Sequence, residues 1–113
     1  MEKRTDFSRA SYSCYDAPIR ASSQRITEGI RYLRAVKGRP RAGPNQKGRV
    51  SCSYGAGIWW VNRVTSTTKT LASFGSIADG AQHLMNRCRF GASVGGITTH
   101  PTRWEVQVYR TSC

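Results

Sequence analysis

The sequence predicts an α+β fold: a two-layer sandwich, with an antiparallel sheet carrying two helices packed on one face, stapled by disulfides. Three observations point there. Amphipathic stretches at 22–36 and 76–88 alternate with a β-rich hairpin at 48–64 and a strand at 103–110. A chain of 113 residues with 38% hydrophobic content is one domain with a small core, for which a staple beyond packing is expected. It has four cysteines but no CxxC and only two histidines, which fits two disulfides better than zinc. The rival reading is four reduced core cysteines, but Cys113 as the last residue is better placed to tie down an end.

Residues 1–13 are polar and charged and read as a flexible N-terminal segment, with 14–113 as the single folded domain. Glu2-Lys3-Arg4 resembles a dibasic processing site, which would make Met1 an expression start, and the opening residues carry no apolar leader-like run. Tyr12, Cys14 and Tyr15 suit a short edge strand closed by Pro18. In the first helix, Ile26, Ile30 and Leu33 recur at helical spacing, Ser22 or Ser23 caps the start, and Gly29 requires packing against the sheet.

The stretch Lys37–Lys47 is broken by Gly38, Pro40, Gly43 and Pro44 and reads as a loop. With Arg49 it forms the densest positive cluster: Lys37, Arg39, Arg41, Lys47 and Arg49. It is either a solvated, disordered loop or a finger laid on an acidic partner. The hairpin that follows is expected at the centre of the sheet, turning at Gly55-Ala56-Gly57. Val50, Cys52 and Tyr54 alternate on one arm, and Ile58, Trp60 and Asn62 on the other. Trp59 and Val61 put apolar groups on the second face as well, so cover is expected on both sides.

A capping box, Ser76 to Asp79, is expected to open the second helix, whose buried face is Ile77, Ala81, Leu84 and Cys88. Arg87 and Arg89 suit its C-terminal dipole. Phe90–Thr99, with Gly91, Gly95 and Gly96, reads as a flexible connection holding one short strand, ended by His100-Pro101. Trp104, Val106 and Val108 then face inward along the clearest strand of the chain.

Eighteen Lys and Arg against six acids give +12, and fourteen of the eighteen are Arg. Such a charge implies an anionic partner contacted by forked guanidinium groups, or else a strategy for solubility. No stretch is long enough to span a membrane. An acid/base enzyme would have to draw on His83, His100 and Glu105; two ordinary surface histidines explain the first two as well. No nucleophile set, phosphate loop or metal cluster is visible, so no enzyme, cofactor or metal is expected. A nucleic-acid binder would use Tyr12, Tyr15, Trp59 and Tyr109 for stacking, although aromatics in small domains commonly serve the core.

The ordered pieces Arg49-Val-Ser-Cys52, the glycine turn with its aromatic strand, Asn86-Arg-Cys88 and the terminal Trp104–Cys113 run together resemble a known family. It is that of the calcium-channel-blocking killer toxins of smut fungi and related small secreted effectors of plant-pathogenic fungi. The resemblance covers residues 48 to 113. It implies the pairs Cys52–Cys113 and Cys14–Cys88, one of three connectivities open to four cysteines. Like the cysteine count it points to a secreted protein, and it further implies action by binding an ion channel, membrane or host protein; a monomer is expected. A lysine just ahead of the hairpin cysteine is tied to activity in that family; the nearest basic residue here is Arg49, one position out of register. With Arg63 and Arg89, the basic residues at 37–49 are the expected contact set.

Overall fold

The computed structural model describes residues 4 to 113, so Met1 and the Glu2-Lys3 part of the dibasic motif lie outside the described residues. Strands β1 (Ser11–Cys14) and β2 (Ala21–Ser22) precede helix α1 (Ser23–Ala35), with a 3-10 turn at Ala17–Ile19. Next come β3 (Arg41–Ala42), β4 (Lys47–Ser53), β5 (Ala56–Asn62) and β6 (Lys69–Thr70), then helix α2 (Phe74–Cys88). The chain closes with β7 (Arg89–Phe90), β8 (Ser93–Val94), β9 (Gly96–His100) and β10 (Trp104–Arg110). The main sheet is antiparallel in the order β1-β9-β10-β5-β4. Ribbons β2-β8-β7 and β3-β6 are attached to it.

Both helices lie on one face of that sheet. Ile26, Ile30 and Leu33 of α1 and Ile77, Ala81 and Leu84 of α2 are buried against Ile58, Trp60, Val106 and Val108. Each of the Ile, Leu and Val side chains contributes about 1.5–3 kcal/mol on leaving water, and Ala81 less. Ser22 caps α1, its hydroxyl accepting from the Arg25 amide. Gly29 is required by proximity: a Cβ there would meet Ser51 Oγ at 2.7 Å and Ile58 Cδ1 at 3.0 Å.

The disulfides are Cys14–Cys88 and Cys52–Cys113. The first ties β1 to the end of α2, and the second ties the edge strand to the C-terminus. They place the protein in a secretory or otherwise oxidising setting. Among the described residues no helix is long and apolar enough to cross a membrane.

Several expectations are corrected. The hairpin turn is Tyr54-Gly55, since Ser53 pairs with Ala56, and Gly57 belongs to β5. Strand β10 is the central one, and β4 is an edge. A bulge at Val50 shifts the register between Arg49 and Ser51, so simple alternation along β4 fails. The capping box does not form, because Asp79 instead accepts from Arg34, Arg4 and the Thr5 amide. That network anchors a segment whose polarity reads as frayed: Phe7 is buried, and β1 begins at Ser11. The connection after α2 holds three strands, and one of them, β9, lies between β1 and β10.

Candidate functional site

Among the described residues, no helix lies on the second face of the sheet. Register places Trp59, Val61, Glu105, Gln107 and Tyr109 there, with Lys47 and Arg49 opposite Val61 and Trp59. Every residue of β5 is nevertheless buried. Cover on this side comes from neighbouring side chains rather than from a second layer. The Trp59 and Tyr109 rings stack in parallel, 3.9 Å between centroids and 4° between planes. Gly57 makes this arrangement possible, because a Cβ there would run into the Trp59 indole.

Lys47 Nζ donates to Tyr109 Oη at 2.7 Å and lies 5.3 Å from the Trp59 ring centroid. Arg49 Nη1 donates to the Ser112 carbonyl at 2.9 Å, drawing the C-terminal tail beside the face. Arg63 grips Glu105 through Nε and Nη2, which matches the charge of this almost fully buried carboxylate. Burial and the Tyr109 and Glu105 charges push the nearby Tyr15 phenol up from its ordinary range.

The bulge sets this arrangement. Beyond it, Ser51 pairs with Ile58 and Ser53 with Ala56, on the helix side, whereas Cys52 pairs with Gly57 on the open side. Lys47 and Arg49 thus share the open face with the disulfide to the tail.

The basic loop is tied down rather than disordered. Asn62, fully buried at the end of β5, donates to the carbonyls of Ala42, Gly43 and Thr67 and accepts from the Val64 amide. Arg39 Nε donates to Leu71 O, and the Leu71 amide donates to Pro40 O. Arg41 is exposed on β3, paired with Thr70. Lys37, Arg39 and Arg41 therefore lie around the Asn62 end of the sheet, next to the start of β4. Arg89 does not join them. It follows Cys88, which is bonded to β1, and three strands separate β1 from β4. No signal in the sequence marked Asn62 as the residue that organises the loop, because a polar residue ending a strand reads as the strand simply running out.

His83 is half-buried rather than on an open helix face. It stacks on Phe7 and meets Tyr12 edge-on, and its Nε2 is buried with no hydrogen-bond partner among the described residues. His100 closes β9 and lies against Phe7 and Trp104. Glu105 points to the opposite face, so His83, His100 and Glu105 do not converge. No group of three or more His, Cys, Asp or Glu gathers as a metal site among the described residues. No family model, curated protein or solved structure matches the chain.

What this arrangement offers chemically is fixed positive charge at the rim of a rigid sheet. Along its strands the open face carries one acid, Glu105, and Arg63 holds it. The aromatic pair spends its faces on itself, and Trp59 is only 9% exposed, so it braces the cations more than it offers a stacking platform.

Proposed function

We propose that this is a secreted basic protein of toxin or effector type that acts by binding. Its partner is an anionic group on a target cell, met by the open sheet face and the basic loop beside it. The observation that carries this reading is the placement of Lys47 and Arg49 side by side on β4, on a face where Glu105, the one acid along the strands among the described residues, is already matched by Arg63. Charge of this kind steers encounter and weakens with salt. The resemblance to smut killer toxins supplies the kind of effect to look for, which is growth inhibition through calcium channels. Stacking on nucleic acid is less well supported, since Trp59 and Tyr109 face each other.

The test is growth of fungal cells and seedling roots with the oxidised protein, with and without added calcium. Inhibition relieved by calcium supports channel blocking; inhibition indifferent to calcium keeps the toxin and discards the channel. Lys47→Glu with Arg49→Glu is expected to lower activity at least about ten-fold while changing stability by no more than about 1 kcal/mol. Full activity in that double variant would remove the open face from the mechanism.

A further inference from the structure

Tyr54 is poorly chosen if its only task is to hold the turn. It is 82% exposed, and it sits at φ 46° beside Gly55 at φ 84°. A two-residue turn with both φ positive favours Asn-Gly, and an aromatic residue in that conformation is strained. Strain of this sort, with no burial in return, points to use of the side chain.

The ring is held in place all the same. The Arg25 guanidinium lies 4.1 Å from its centroid. Arg25 Nη1 donates to both oxygens of Glu28 at 3.1 Å, and Ser53 Oγ donates to Glu28 at 3.0 Å. Beside this chain of contacts runs a groove of about 500 Å³ between α1 and β4. Its lining includes Glu28, Tyr32, Arg49, Val50, Ser51 and Ser53, and Tyr32 is 58% exposed.

We propose that this groove binds an acidic oligosaccharide, a run of sugar rings bearing carboxylates. A sugar presents a face of C–H groups that packs on an aromatic ring; Tyr32 lines the groove, and Tyr54 stands at the turn just past Ser53, beyond the lining. Its hydroxyls find a carboxylate already oriented by Arg25 and Ser53, and the hydroxyl of Ser51. Its acid group finds Arg49, which lines the groove from the edge strand while Nη1 holds the Ser112 carbonyl, leaving the other guanidinium nitrogens to donate. Val50 is the one aliphatic side chain in the lining, so an apolar peptide anchor has no pocket to fill. The inference rests on the open-face reading only in sharing Arg49.

The test is an amide chemical-shift titration with a linear tetramer of galacturonic acid, beside a neutral tetramer of glucose. The acidic tetramer is expected to shift Tyr32, Ser51, Ser53 and Tyr54 and to bind more tightly than the neutral one. Tyr54→Asn keeps the turn and is expected to leave the melting temperature unchanged or higher, yet to weaken binding about five-fold. Tyr32→Ala, on an exposed helix face, is expected to weaken it by a similar factor. Shifts confined to Lys47, Trp59 and Arg63, with both tyrosine variants binding as the parent does, would overturn the groove and leave the open-face reading standing. No shift with the tetramer would overturn the groove as well. Because Arg49 borders both sites, Lys47→Glu alone separates them: loss of the growth effect in that single variant bears on the open face only.

Discussion

Asn62 shows how one polar side chain positions much of the charged surface. Its amide sits where β5 ends, with no exposure to solvent, and joins three carbonyls from two loops that have little apolar surface of their own. Asn62→Ala would leave those buried carbonyls short of a donor and open a small void. The expected cost is about 2–4 kcal/mol, measured by denaturant unfolding. Amide exchange should quicken first in residues 40–46. If stability fell while exchange in that loop stayed slow, the loop would owe its order to the β3-β6 ribbon instead.

At the scale of elements, the N-terminal segment is held by an aromatic clamp that favours neutral histidines. Phe7 packs against both His83 and His100. His100 Nε2 meets the Asp6 carbonyl, so Nδ1 is free to accept from the Thr102 amide. Protonating Nδ1 would remove that acceptor, and protonating His83 would charge a ring with a buried, partnerless nitrogen. Burial is the main cause that holds both histidines below their ordinary range. Arg87 adds to it at His83; at His100 Lys69 adds, while the Asp6 carbonyl bond and carboxylate oppose. Arg4, Arg34 and Asp79 line the cleft beside His83. Because the unfolded chain takes up these protons near pH 6.5 and the folded chain only at lower pH, the contribution is intact above about pH 7. It is lost as pH falls through 6.5 toward the folded values. Proteolysis is therefore expected to release the first ten residues more readily at pH 5 than at pH 7.5, with the stapled core intact. His83→Phe should flatten that dependence; an unchanged pH profile in this variant would place the effect elsewhere. The helices and β10 were legible in the sequence because their apolar periods are long and uninterrupted. Strand β9 was not, since Gly95 and Gly96 mask its start; a Cβ on Gly96 would meet Ser13 O at 2.7 Å. The Val50 bulge leaves no mark in composition at all.

Over the whole molecule, a net charge of +12 works against compaction, and the two disulfides offset it. They span sequence separations of 74 and 61 residues, so each removes a similar chain entropy, about 4 kcal/mol in the loop-closure account. The basic cluster and the cysteines were readable at this scale, being matters of count and order. Its division into an open face, a strapped loop and a remote Arg89 was not, because that depends on which strands become neighbours. Position in the fold also separates two bridges that chain entropy makes nearly equal. Cys88 is fully buried between α2 and the sheet, whereas Cys113 is exposed and Cys52 half-buried at the edge strand. A reductant reaches Cys52–Cys113 first. Graded thiol treatment followed by alkylation and peptide mapping should label Cys52 and Cys113 well before Cys14 and Cys88. The Cys14→Ala/Cys88→Ala protein should be the less stable of the two double variants, since it also loses packing at a core position. Simultaneous labelling of all four would mean that opening the edge strand and unfolding the core are one event, with the tail holding the whole sheet closed.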